Sequence, residues 1–251
     1  MKKYLLTFGS EEYYGSINLL AKSCKDMVDG FFLLTEKDIP KEYYEKYKHI
    51  FSQKRGFGYW LWKPFFILKA LEQIKDGDML IYCDSATVII DDLNYLFDLC
   101  LKNNGTLLFE NQNGISLFKN ENESSGAKHK NKEWTKLDCF NLMNCNESRY
   151  INGDQVDAAF QVYEKNDFNL NLLKEYLSFC ENENILTDCP NITGLNLDTF
   201  IEHRHDQSIL SLLAIKYKIK LEKCPSDSRN YLEPCDFPII FFHHKLKLKN
   251  A

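Results

Sequence analysis

The sequence predicts an α/β fold: a single domain with a mostly parallel central sheet flanked by helices. Three observations predict it. Short apolar runs that read as strands alternate with helical patterns of roughly 10–15 residues through the first half of the chain, which indicates right-handed βαβ units. One run, Met79 to Cys83, is apolar at nearly every position and too short for a helix, as suits a strand buried on both faces of a parallel sheet. A length of 251 residues suits one α/β domain, and no internal repeat or linker divides it.

The elements follow in order. Tyr4 to Phe8 reads as the first strand, broken by Gly9-Ser10, and Ser16 to Cys24 as a helix. Gly30 to Thr35 gives the second strand, and Ile39-Pro40 opens a short helix through Tyr43, Tyr44 and Tyr47. Tyr59 to Ile74 carries apolar residues at helical spacing, with Pro64 tolerable only near the first turn. The 79–83 strand then ends on Asp84. A helix from about Leu93 to Leu101 and a strand from Gly105 to Glu110 come next. Asn111 to Lys132 is rich in Asn, Lys, Glu, Ser and Gly and reads as a mobile loop, either a binding segment or a surface insertion. Beyond it lie a helix near Trp134–Met143, a strand near Val156–Tyr163 and a helix from Leu170 to Cys180. A loop over Asp188–Asn196, a helix over about Asp206–Tyr217 and a strand over Pro238–Phe242 complete the chain.

Composition excludes several classes. The formal net charge is −5 and no basic stripe precedes the last few residues, which argues against nucleic-acid binding. The nine cysteines are odd in number and lack Cys-x-x-Cys spacing, so buried free thiols in a reducing, cytoplasmic compartment fit better than disulfides or a zinc site. No run approaches a membrane span and the first residues lack a signal-peptide core. The basic end, His243-His244-Lys245 to Lys249, is suited either to peripheral contact with phosphate or an anionic lipid surface, or to a solvated tail.

Four clusters carry chemistry. Asp84-Ser85-Ala86 stands at a strand end, where ligands of open α/β sheets bind, and Asp84 could hold a divalent cation or cap the next turn. In Arg55-Gly-Phe-Gly-Tyr59-Trp60-Leu-Trp62-Lys63-Pro64 the glycines permit close backbone approach and Arg55 or Lys63 could neutralise phosphate. Trp60 and Trp62, taken singly, read as core. Arg204-His205-Asp206-Gln207-Ser208 opens a helix with more polar residues than a cap requires. His243-His244-Lys245 follows an apolar strand, and such a pair can ligate Mn²⁺ while the lysine meets phosphate.

Taken together and in this order, these clusters resemble glycosyltransferases of the GT-A fold. The segments carrying the resemblance are Gly56-Phe-Gly-Tyr-Trp-Leu-Trp-Lys-Pro64, Trp134-Thr-Lys136 and His203-Arg-His-Asp-Gln-Ser208, and it extends from about Phe51 to His244. Their order is also similar to that of the glycogenin and bacterial galactosyltransferase family. The resemblance implies a nucleoside diphosphate sugar donor, UDP-linked by preference, a saccharide or glycoconjugate acceptor, and a retaining outcome. It implies a nucleotide-sugar half over about residues 1–104 and an acceptor half over about 105–251. Asp84 and His243 or His244 would ligate Mn²⁺ or Mg²⁺ against the diphosphate, and Asp206 and Gln207 would lie beside the transferred sugar as catalytic residues. Arg55, Tyr59, Trp62, Lys63, Ser85, Asp157 and Lys245 would contact substrate, with Asp157, Ala158 and Ala159 on the acceptor-side strand. The sequence departs from the family's Asp-x-Asp pattern at Ala86, which removes one anionic ligand and puts the need for metal in doubt. That departure keeps a non-catalytic nucleotide-sugar or glycan-binding module open. A metal-dependent nucleotidyltransferase or hydrolase would also use a strand-end Asp.

Overall fold

The computed structural model describes residues 1–111, 128–227 and 238–249. The first half runs β1 (Lys3–Phe8), α1 (Tyr14–Ser23), β2 (Gly30–Leu34), α2 (Lys41–Lys46), α3 (Lys48–Phe51), α4 (Trp62–Gln73), β3 (Met79–Cys83), β4 (Thr87–Ile89), α5 (Asn94–Lys102) and β5 (Thr106–Glu110). The second half contributes three short helices, α6 (Asn131–Trp134), α7 (Leu137–Leu142) and α8 (Ser148–Ile151). After them come β6 (Val156–Glu164), α9 (Asp167–Cys180), α10 (Glu183–Leu186), α11 (Asp206–Lys216), β7 (Leu221–Glu222) and β8 (Phe241–His243).

The mostly parallel sheet expected of the sequence is present. It has six strands in the order β2-β1-β3-β6-β5-β7, and β4 pairs separately with β8. β6 alone runs against its neighbours β3 and β5, while the β1–β2, β1–β3 and β5–β7 pairs are parallel. Strand direction leaves no trace in an apolar pattern, so the reversal of β6 could not be read from its residues.

Every residue of β3 and β5 is buried because both faces of the sheet are covered. Leu6, Leu80, Tyr82 and Leu108 pack on one face with α4, α9 and α11. Leu5, Ile81, Leu107 and Phe109 face the opposite layer, which holds Leu20, Leu96, Phe97, Cys100 and Phe241. Every cysteine among the described residues is a free thiol, and all but Cys189 are buried. Among the described residues no helix is long and apolar enough to cross a membrane.

Three expectations need correction. The helix expected from Tyr59 begins only at Trp62, because residues 56–60 take a left-handed course. The helix expected over Trp134–Met143 is two short ones parted at Thr135-Lys136, where the buried Lys136 ammonium donates to the carbonyls of Thr187 and Cys189. The strand expected over Pro238–Phe242 is Phe241–His243. Of the expected mobile loop over Asn111–Lys132, residues 112–127 lie outside the described residues. Its end is held in place, since Lys130 bridges to Asp154 and α6 starts at Asn131.

Candidate active site

The reversal of β6 builds the site. Because β6 is antiparallel, its first residues lie at the same sheet edge as the last residues of β1 and β3, with Cys83 paired to Phe160 and the Asp84 N–H donating to the Ala159 carbonyl at 3.0 Å. A bulge interrupts the β5–β6 register here, between Leu108 opposite Gln161 and Glu110 opposite Val156. Val156 and Ala158 accordingly pack on one face of the sheet, whereas Phe160 and Val162 pack on the other. Such bulges re-aim side chains. This one turns Asp157, Ala158 and Ala159 onto a cleft of about 220 Å³, shared with Arg55, Trp60, Lys63, Asp84, Arg204, His205, Asp206, Gln207 and His243. A second compartment of about 330 Å³ adjoins it at Trp60 and Asp84. It is lined by Phe8, Ser10, Glu12, Tyr13, Lys54, Gly56, Phe57, Trp62, Ser85, Ala86 and Lys247.

At the floor, one lysine joins two acids. Lys63, whose side chain is 3% exposed, lies 3.1 Å from Asp206 and 3.6 Å from Asp84, and donates to the Ala158 carbonyl at 3.2 Å. Asp206 is as deeply buried, whereas the Asp84 side chain is 38% exposed to the cleft. The Tyr82 hydroxyl donates to Asp84, and the Tyr176 hydroxyl donates to Asp206 at 3.2 Å. Burial works to lower the Lys63 pKa, but Asp206 and Asp84 outweigh it and hold the ammonium charged. Burial raises the Asp206 carboxyl against the pull of Lys63. Asp206 opens α11 without capping it. His205 occupies the cap position with no side-chain hydrogen bond there, so Asp206's partners are Lys63 and Tyr176 rather than free helix N–H groups.

The lysine is delivered by an unusual turn. Gly56, Phe57, Gly58, Tyr59 and Trp60 all have positive φ, between 49° and 83°. L-residues pay roughly 1–2 kcal/mol each for that conformation, so Phe57, Tyr59 and Trp60 together store several kcal/mol. A side chain at Gly58 would stand 2.9 Å from the Phe51 Cα, so only glycine fits. Aromatic packing holds the turn: Trp62 stacks on Phe8 at 3.9 Å and donates its Nε1–H to the Gly56 carbonyl at 2.9 Å. Tyr59 and Trp60 pack on the His205 ring at 4.7 and 5.7 Å. His205 itself has φ 53°, so two strained segments meet immediately before Asp206. Burial pushes His205 down to about 4 and His203 well below the usual histidine range, leaving both neutral near pH 7.

The three resemblance segments converge. The Arg204 guanidinium lies over the Trp134 ring at 4.4 Å, and Ser208 Oγ donates to the Trp134 carbonyl at 2.6 Å. The Lys136 N–H donates to His203 Nδ1 at 3.3 Å. Gln207 lines the cleft and donates to Gln155, whose own amide is fixed by Asn131 and Thr135.

Other residues singled out in the sequence fall in varied places. Arg55 stands at the rim, paired with Glu202 and 3.8 Å from Asp188. Tyr59 lies behind the lining against His205. Ser85 and Trp62 line the larger compartment; Asp157 lines the smaller, and its carboxylate accepts the Ala159 N–H at 3.2 Å. Of the two histidines, His243 reaches the cleft. It lies opposite Thr87 in the β4–β8 pair and, like Phe241, packs on Phe160, whereas His244 follows the strand and lines neither compartment. Lys245 also lines neither; Lys247 does, paired with Glu12 at 2.7 Å. The contacts that seat Lys247 are the Gly15 N–H to the Leu248 carbonyl and Ser16 Oγ to the Leu246 carbonyl.

The donor set is a poor fit for a resident divalent ion. Asp84 follows the end of β3, Ala86 two residues on brings a methyl group in place of a second acid, and Asp84 Oδ1 already receives Tyr82 and faces Lys63. Among the described residues no three His, Cys, Asp or Glu side chains converge as metal ligands.

No family model and no curated protein matches the sequence. Solved structures with a similar backbone include the glycosyltransferase GlyE of Streptococcus pneumoniae TIGR4, at 14% identity and a TM-score of 0.48, over 97% of this chain and 54% of that one. The bifunctional glycosyltransferase WbbM is 14% identical over 89% of this chain and 39% of its own, with a TM-score of 0.49. Mouse xyloside xylosyltransferase 1 is 9% identical over 96% of this chain and 97% of its own, with a TM-score of 0.48. The chain thus spans about half the length of GlyE and less of WbbM.

Proposed function

We propose that this chain is a glycosyltransferase that moves a sugar from a nucleoside diphosphate sugar, UDP-linked by preference, to a hydroxyl of a saccharide or glycoconjugate. The observation that carries the reading is the joined pair of compartments meeting at Asp84, one aromatic and basic, the other small-walled and polar. The larger compartment suits a nucleoside diphosphate. Trp60, partly exposed in the lining, offers a ring face to a base, Lys54 and Lys247 offer charge to phosphate, and Ser10 and Ser85 offer hydroxyls. The smaller suits a sugar ring, with room over Ala158 and Ala159 and with Asp84 and Gln207 as partners for its hydroxyls. The acceptor oxygen bonds to the anomeric carbon, the bond to the diphosphate oxygen breaks, the nucleoside diphosphate leaves with the electron pair, and the acceptor's hydroxyl proton passes to an oxygen of that departing diphosphate. The lysine charge of Lys54 and Lys247 beside the departing phosphates stabilises that charge as it develops. Asp206 acts through Lys63, and Gln207 orients the sugar. The free thiols suit a reducing, cytoplasmic setting.

A melting-temperature screen of nucleotide sugars tests the reading. A donor at about 100 times its Kd stabilises the native state by about 2.7 kcal/mol. For a chain of this length that raises Tm by roughly 5–10 °C. A UDP-sugar producing that shift supports the proposal; a flat response to every nucleotide sugar at millimolar concentration contradicts it.

A further inference from the structure

We propose that Lys63 is a built-in counter-cation: its ammonium, enclosed between Asp84 and Asp206, takes the place of a divalent metal ion at the strand end and leaves Asp84 to bind substrate hydroxyls. The inference rests on the glycosyl-transfer reading of the cleft and goes beyond it by assigning how the site's negative charge is balanced.

Four observations converge. Lys63 lies within 3.6 Å of both acids, so each carboxylate has a fixed positive partner without an ion. The ammonium is anchored from a third side by the Ala158 carbonyl, which the β6 bulge presents, so it cannot swing away to make room. Ala86 supplies no second acid, and a magnesium or manganese site draws on carboxylate oxygens together with substrate phosphates. The lysine is the second residue of α4, and the costly left-handed turn over residues 56–60 leads into that helix start. A buried cation is tolerated only when paired and hydrogen-bonded, as Lys63 is. A second, divalent charge at Asp84 would sit beside a like charge that burial leaves poorly screened.

Lys63 is therefore a positioning residue. It fixes the Asp84 carboxylate at the junction of the two compartments, where its exposed part can accept hydrogen bonds from sugar or ribose hydroxyls. The charge of the leaving diphosphate then falls to the exposed lysines of the larger compartment, Lys54 and Lys247.

The test titrates chelated, desalted protein with Mn²⁺ alone and follows water-proton relaxation. Wild type should show no saturable site up to about 1 mM Mn²⁺. A site with Kd below about 100 µM that Asp84→Asn removes would overturn the inference. UDP binding, read by calorimetry, should be unchanged within about threefold between EDTA and Mn²⁺; a tightening of tenfold or more that Asp84→Asn removes would equally overturn it. In Lys63→Met the two acids lose their ammonium, and a new Mn²⁺ site, absent from Lys63→Met/Asp84→Asn, would support it. The Mn²⁺ titration needs no substrate. If no nucleotide sugar bound or turned over, the transfer reading would fall and the titration would still decide this inference.

Discussion

Replacing Lys63 by Met removes the ammonium while nearly keeping the stem, and leaves Asp206 buried with the Tyr176 hydroxyl as its remaining hydrogen-bond partner. Breaking a buried ion pair from one side costs about 3–5 kcal/mol, because the other charge is stranded. Asp84 adds little to that cost, since at 38% exposure its carboxylate can rehydrate. For a chain of this length the loss corresponds to a fall in Tm of roughly 6–20 °C near pH 8. The sign of its pH dependence follows from Asp206. Burial already raises its carboxyl in the wild type, and without Lys63 it rises further. An acid with a raised native pKa destabilises the fold at high pH, and the penalty fades as pH falls through that pKa toward the unfolded value of about 3.9. The Tm gap between Lys63→Met and wild type should therefore narrow from pH 8 to pH 5. Adding Asp206→Asn to Lys63→Met, which removes the stranded charge but keeps an acceptor for Tyr176, should recover most of the loss. Scanning calorimetry across pH on the three proteins checks this. A gap indifferent to pH, with no recovery in the double variant, would refute the ion-pair reasoning.

Three further outcomes are expected. Gly58→Ala puts a Cβ against the Phe51 backbone at φ 83°, and should lower stability by more than about 1 kcal/mol, measured by urea denaturation. His243→Ala should impair donor turnover at least tenfold while His244→Ala stays within twofold of wild type, because His243 alone of the two lines the cleft; steady-state kinetics reads the difference. His205 is held near 4 by burial, so the unfolded chain binds protons that the native state refuses. Stability should fall as pH drops from about 6.5 toward 4, and His205→Asn should flatten that slope in a Tm-against-pH profile.

The central strands were legible because β3 and β5 are covered on both faces and so carry short, largely apolar runs. The helix start at Asp206 was legible from its polar run before an apolar stretch. Other features lay outside what sequence periodicity encodes. β4 is only Thr87–Ile89, too short for a periodic signal, and yet it positions His243 across from Thr87. The aromatic run at 57–62 has helical spacing, but Gly56 and Gly58 permit a left-handed turn that brings Trp60 into the lining of both compartments. Those two glycines were the available signal. Lys63 read as a residue for phosphate because a lysine beside glycines and aromatic residues is ordinarily exposed at its tip; only the fold shows it enclosed by Asp84, just after β3, and by Asp206 of α11. Lys247 was one of several lysines in a basic end, and its selection over Lys245 depends on how residues 246–248 bond to the start of α1.

The central claim is sugar transfer from a nucleoside diphosphate donor through a cleft centred on Asp84. The most direct measurement is to incubate wild type and Asp84→Asn with the donor that raises Tm, with and without saccharide acceptors, and to identify the released nucleotide by chromatography. The account predicts nucleoside diphosphate from wild type, faster with an acceptor, and a loss of about 100-fold in Asp84→Asn, the scale of one transition-state electrostatic contact. Release of pyrophosphate, or nucleoside diphosphate formed equally fast by Asp84→Asn, would contradict it.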